Sequence, residues 1–187
     1  MTLFDDNIAG LLNEYFPVMA DIIFRWDGTL EKYIGDAILA VWGAPFPHDD
    51  DADRAVAAAV EMQQALETLN QRWAAENRTQ LQIHIGLHSG HVAAGNIGSS
   101  RYVQYATIGD ATNVASRVCS AAVGGEVFIS DATKQLLTHT KVSSDLLPPI
   151  QAKGKEQPLR VHRVNWRSGV VVAGPPTERA LPAFVVG

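Results

Sequence analysis

An α+β fold is predicted for this chain from two observations. Helical and strand periodicities intermingle along it, and a hairpin signal stands among them, an order that places helices and strands on one sheet. The 187 residues, 47% hydrophobic and 19% charged, suit one domain with a core that needs no covalent staple.

The elements follow in order. Ile8, Leu11, Leu12, Tyr15, Phe16, Met19, Ile22, Ile23 and Trp26 recur in steps of mostly three and four, which marks one apolar helix face. Asp5 or Asp6 caps its start, and Asp27-Gly28 ends it. The runs Thr29 to Ile34 and Ala37 to Trp42 flank Gly35-Asp36 and read as a β-hairpin. After a loop from Gly43 to Pro47, a second amphipathic helix carries Ala52, Ala55, Val56, Ala59, Met62, Leu66, Leu69 and Trp73. Leu81, Ile83, Ile85 and Leu87 alternate as a half-buried strand does, and Val92 to Ile97 is expected as its partner after a turn at Gly90. Further elements are a strand from Tyr102 to Ile108, a helix from Asp110 to Ala121 and a strand at Val127-Phe128-Ile129. A helix capped by Ser130 and running to about Leu137 comes next, then strands at Val142 to Ile150 and Leu159 to Val164. Trp166 to Gly187 lacks periodicity and is expected to be a tail or linker, so the domain is placed at residues 1–165 and the tail at 166–187.

Composition excludes several functions. Fifteen basic against twenty acidic side chains give a net charge of −5, which disfavours docking on a nucleic-acid backbone. No apolar run approaches the roughly 20 residues that span a bilayer, and no signal-peptide pattern opens the chain. A cytoplasmic protein without a membrane span is expected. The single cysteine, Cys119, rules out a disulfide framework and a Cys-rich zinc site. His84 and His88 share strand parity, but no cysteine or third histidine accompanies them, so zinc is not expected. His48-Asp49-Asp50-Asp51 reads as an acidic helix start.

Four groups of residues can carry chemistry. Glu31 to Asp36 puts a carboxylate at a tight turn with a cation, Lys32, four residues earlier; Asp36 there serves either turn chemistry or a hard cation such as Mg²⁺. Gly86 to Gly90 and Gly95 to Arg101 form glycine-rich turns that either close hairpins or cradle phosphate. Asn113 and Arg117, four apart on one helix face, form either a solvated surface or a pair that orients a ribose and neutralises phosphoryl charge. Lys153-Gly154-Lys155 is a basic loop within reach of phosphates or solvent.

Five blocks in this order resemble the class III nucleotidyl cyclase catalytic domain: LLNEYF (11–16), GTLEKYIGDAILAVWGAP (28–45), IGLHSGHVAAGNIGS (85–99), YATIGDATNVASR (105–117) and KGKEQPL (153–159). The resemblance implies a ferredoxin-like cyclase fold, a mostly antiparallel sheet with helices packed on one face. It implies an adenylate cyclase that converts ATP to 3′,5′-cyclic AMP and pyrophosphate at a head-to-tail homodimer interface, in intracellular signalling, with an upstream sensor or regulatory domain as an additional partner. By position, Asp36 matches a metal-binding aspartate, for Mg²⁺ or Mn²⁺, of which the complete family site holds two ions. Lys32 matches the purine-reading lysine, Asn113 the ribose-orienting amide and Arg117 the transition-state arginine. Arg101 and Lys153 match phosphate contacts. Ala106 stands where the family has a second purine-reading residue, usually Asp or Thr. Thr107 follows it, and strand alternation turns it to the other face. The resemblance begins at the loop before LLNEYF, so the family's first strand, with its first metal aspartate, is expected to be missing. Only four residues precede Asp5, fewer than a typical strand of about five or six. The competing expectation is a catalytically impaired, cyclase-like nucleotide-binding or regulatory dimerisation module.

Overall fold

A computed structural model of the chain describes residues 6–99, 102–150 and 158–168. Helix α1 (Asp6–Arg25) buries Leu11, Tyr15, Met19 and Ile22, the stripe expected from their spacing. That stripe packs on Ala57, Ala58, Leu66, Leu69 and Trp73 of α2 (Asp51–Ala75), where the two alanines let the helices approach closely. Two carboxylates clamp the pair from outside. Glu14 accepts from Trp73 Nε1 at 3.1 Å and Arg78 Nη2 at 2.7 Å, and also pairs with Arg72. Glu61 accepts from Trp26 Nε1 at 2.6 Å and pairs with Arg25.

α1 stops in a Schellman motif at the Asp27-Gly28 signal. Asp27 adopts φ 56°, its N–H donates to Phe24 O at 3.0 Å, and the Gly28 N–H donates to Ile23 O at 2.8 Å. The chain then enters the expected hairpin, β1 (Thr29–Ile34) against β2 (Ala37–Val41). Its two-residue turn places Gly35 at φ 64°, as the first central position of a type II′ turn requires. The Trp42 indole, donating to Trp26 O at 2.9 Å, fastens the end of the hairpin to the end of α1.

The rest of the strands differ from expectation in pairing. β3 is only Ile85–Leu87, shorter than the alternating run from Leu81, and it pairs in parallel with β6 (Val127–Ser130). β6 pairs antiparallel with β8 (Val161–Val164), which pairs with β7 (Ser144–Leu146). β4 (Ala93–Ser99) does not return along β3; it pairs antiparallel with β5 (Tyr102–Ile108) as a ribbon of its own. Two residues separate β4 from β5 and five separate it from β3, and a two-residue connection joins antiparallel strands directly. The one sheet expected is therefore three hydrogen-bonded pieces among the described residues: β1-β2, β3-β6-β8-β7 and β4-β5.

Alternation along β6 buries both of its faces. Val127 and Ile129 pack with Val56, Ala59 and Val60 of α2, while Phe128 packs with Val114 and Val118 of α3 (Asp110–Ala121). Thus α2 covers one face of β6 and α3 the opposite one. Ser130 caps α4 (Asp131–Leu136) by accepting from the Thr133 N–H at 3.2 Å, as expected. Trp166, counted with the tail by its sequence, is 5% exposed, packs with Val127 and Val164, and donates to Gly125 O at 3.0 Å. No helix among the described residues is long and apolar enough to cross a membrane.

Candidate active site

The hairpin carries two of the expected site residues, one at its turn and one within its first strand. Asp36 occupies the turn and is exposed; Lys32 lies within β1, its side chain 38% exposed. Below the hairpin, the Phe16 and Tyr33 rings sit 4.7 Å apart, which ties the turn to α1. Burial, and then the negative charge of Asp36, push the Tyr15 hydroxyl up to about 12, so it stays protonated through the physiological range.

β1 contains an irregularity that alternation did not reveal. Leu30 pairs with Ala40 and Lys32 with Leu39, so the register slips at Glu31, which is left over in the ladder as in a β-bulge. A bulge re-aims its side chain. The Glu31 side chain is 0% exposed, and its Oε2 accepts from the Thr107 N–H at 3.1 Å and from the Thr107 hydroxyl. The Lys32 ammonium lies 3.1 Å from Oε1, an ion pair without hydrogen-bond alignment. Glu31 thereby links hairpin β1–β2 to ribbon β4–β5. No role attached to it in the sequence, because strand parity sends neighbours Glu31 and Lys32 to opposite faces; the only available signal was a carboxylate beside the lysine.

Thr107 is buried, and both its hydroxyl and its N–H are engaged by Glu31, while Ala106, half-buried and paired with Gly95, offers no polar side chain. On α3 the buried stripe Ala111, Val114 and Val118 faces the sheet. Asn113 is exposed and Arg117 half-buried on the neighbouring stripe, and neither has a side-chain hydrogen bond or ion pair to another described residue. The helix is set by a close approach at β3, where Gly86 meets the Cys119 backbone. Cys119 is a packed thiol, raised by burial, consistent with an inert role. His88 Nδ1 stands 2.9 Å from Ser130 Oγ in a hydroxyl network. Arg101 and Lys153 lie outside the described residues, as does Asp5.

No group of three or more His, Cys, Asp or Glu side chains that could hold a metal occurs among the described residues. At the hairpin turn the carboxylate open to an ion is Asp36, the Glu31 side chain being buried against Thr107 and Lys32. That suits a hard cation carried mainly by substrate phosphates and water, which Mg²⁺ accepts with one or two carboxylates, and not an ion caged by protein alone.

Comparison with known proteins bears on the family and the fold. The family model for the adenylate and guanylate cyclase catalytic domain matches residues 5–165. The chain is 29% identical over 180 residues to adenylate cyclase 1 of Rhizobium meliloti, covering 95% of this chain and 26% of that protein. It is 32% identical over 166 residues to an adenylate cyclase of Anabaena cylindrica, covering 84% of this chain and 32% of the other. The chain thus spans about a quarter to a third of the length of these relatives. Among solved structures, the adenylyl cyclase CyaB from P. aeruginosa superposes with a TM-score of 0.79 at 29% identity, covering 87% of this chain and 84% of that one. The guanylyl cyclase Cya2 gives 0.78 at 36% identity, covering 87% and 82%. With the family profile running from before α1 through β8, and with cyclases of both kinds sharing the fold, this chain belongs to the adenylate and guanylate cyclase catalytic domain family.

Proposed function

We propose that the chain is an adenylate cyclase domain, which converts ATP to 3′,5′-cyclic AMP and pyrophosphate. The observation that carries the choice of adenine is Lys32, a half-exposed ammonium with its charge balanced by a buried carboxylate. An ammonium only donates, so it matches the ring nitrogen N1 of adenine, an acceptor, and opposes the N1–H of guanine, a donor. The named adenylate cyclases among its relatives support the same reading.

In the reaction the ribose 3′-oxygen attacks the α-phosphorus in line. The new O3′–P bond forms as the bond to the β-phosphate oxygen breaks; pyrophosphate leaves with that electron pair, and the 3′-hydroxyl proton passes to solvent. No protein nucleophile is needed. Arg117 neutralises charge that grows on the phosphoryl oxygens, and Asn113 orients the ribose by hydrogen bonding. Arg101 and Lys153 are assigned to the phosphates. A divalent ion, Mg²⁺ or Mn²⁺, bound at Asp36 with the nucleotide would clamp the phosphates and favour the alkoxide.

We assign the site to a head-to-tail homodimer. Asp36 and Arg101 come from one subunit; Lys32, Asn113, Arg117 and Lys153 come from the other. We assign residues 1–165, with Trp166 packed on them, to this domain and the residues after it to a tail, with a cytoplasmic location and an upstream sensor or regulatory domain as a further partner.

A second reading, nucleotide binding without turnover, is favoured by Asp36 standing at the turn without a second metal-holding carboxylate beside it among the described residues, where the complete family site uses two. The test is cyclic AMP formation from ATP with Mg²⁺ and with Mn²⁺. Product that disappears in Asp36→Ala supports the cyclase; nucleotide binding with no product under either ion supports the second reading.

A further inference from the structure

We propose that Glu31 is a specificity-determining positioning residue, which holds the Lys32 ammonium at the purine and is itself held by Thr107. The inference rests on the reading of Lys32 as the residue that meets the base. Its starting point is a buried charge. A carboxylate taken out of water needs compensation, and Glu31 receives it unevenly: Oε2 has two donors from Thr107, whereas buried Oε1 has no hydrogen bond among the described residues and only the Lys32 ammonium, 3.1 Å away. The register slip at residue 31 lets adjacent residues of one strand meet in this way.

Two consequences bear on recognition. A lysine is a flexible point charge, and anchoring it before the ligand arrives removes part of the ordering cost of binding. An adenine base is uncharged, so an unbalanced ammonium would attract the triphosphate as readily as the base; Glu31 cancels that charge and leaves Lys32 as a directional donor. Because Ala106 supplies no polar group, discrimination at this end depends on how well Lys32 is held.

Binding of ATP and of GTP to the full chain, each with Mg²⁺, is measured by calorimetry for the unmodified protein, Lys32→Ala, Glu31→Gln and the double variant, with thermal midpoints recorded for each. Glutamine still accepts from Thr107 but turns an NH₂ toward the ammonium, donor against donor, so Lys32 is released. The expected result is an ATP-to-GTP affinity ratio that falls about tenfold in Glu31→Gln and not at all when the same change is made in Lys32→Ala, the non-additivity of residues acting through one another. A merely structural role would lower the thermal midpoint and both affinities together, with the ratio unchanged; that result overturns the proposal, as does an equal fall in both backgrounds. A ratio untouched by Lys32→Ala overturns the base-reading role of Lys32 itself, and the proposal with it. If Glu31→Gln fails to fold, Thr107→Val is the second arm: it removes one donor to Glu31, and an unchanged ratio there overturns the proposal.

Discussion

The Cys119 backbone in α3 lies so close to Gly86 in β3 that a Cβ on Gly86 would stand 2.1 Å from the Cys119 nitrogen and 2.3 Å from its Cα. Helix and strand touch backbone to backbone, and this contact sets the height of α3 above the sheet. Asn113 and Arg117 project from that helix, so their placement depends on a missing methyl group in β3.

Gly86→Ala is therefore expected to destabilise the fold by about 1–3 kcal/mol, the range for overpacking, read as a lower urea midpoint. Activity should fall further than stability accounts for. A shift of α3 by about 1 Å can cost on the order of a hundredfold in rate, because catalytic groups act through orientation. Steady-state kinetics under conditions where the variant remains folded check this, and the loss should lie in kcat more than in KM.

Asp53 makes the second testable junction. Its side chain, 4% exposed at the start of α2, accepts from the N–H groups of Thr138, His139 and Thr140 at 3.1, 3.1 and 2.6 Å, and from the Thr138 hydroxyl at 2.9 Å. Burial pushes its carboxyl up, but these donors outweigh burial and the net direction is down. A carboxylate lowered on folding adds stability above its unfolded value of about 3.9 and loses it as pH falls through the folded value. Asp53→Ala should cost about 3 kcal/mol at neutral pH, since charged acceptors are worth more than neutral ones and three N–H groups, the buried one of Thr140 among them, lose their partner. Below about pH 4 the gap between the two proteins should narrow. Urea titrations at several pH values measure it.

Most of this architecture was legible from periodicity and turn residues. The α1 stripe, the Gly35-Asp36 turn, the bounds of α3 and the Ser130 cap depend on contacts within a few residues of sequence. What escaped depends on long-range pairing. Leu81 and Ile83 alternate as strand residues do, yet only Ile85–Leu87 finds a ladder partner, at β6 some 40 positions on. The partner of β4 was misassigned because two neighbouring strands competed for it and periodicity does not rank them. Candidate site residues carried by a motif, such as Lys32 and Asp36, could be put forward from the sequence. Glu31 could not, since its orientation comes from a register slip, and a one-residue slip changes the face that every parity argument assumes.

Lys32→Glu should reverse the preference at the base. A glutamate accepts where lysine donated, which suits the N1–H and amino group of guanine. It also puts a second carboxylate beside buried Glu31, and that repulsion should weaken binding of both nucleotides. The expected outcome is a loss of ATP turnover of at least about tenfold and a gain of GTP relative to ATP, since a mismatched buried donor–acceptor pair costs roughly 1–3 kcal/mol. Competing the two nucleotides in one reaction and separating cyclic AMP from cyclic GMP gives the ratio. Equal use of ATP and GTP by the unmodified chain would falsify the role of Lys32.

The proposed head-to-tail dimer makes the final prediction. Asp36 sits on the hairpin turn, and Arg117 rises from a helix packed on the far side of β6. In a head-to-tail pair, each site takes Asp36 from one subunit and Arg117 from the other. Asp36→Ala and Arg117→Ala homodimers should both be inactive, each site lacking one group. In a heterodimer of the two, one site lacks both groups and the other is whole. Random exchange makes half of the dimers mixed, so about a quarter of the original sites return under two-fold symmetry. Cyclic AMP formation after co-refolding measures this recovery, with the mixed dimers verified by mass. Were both groups drawn from one subunit, no mixture could rebuild a site, and activity would stay at the level of the separate variants.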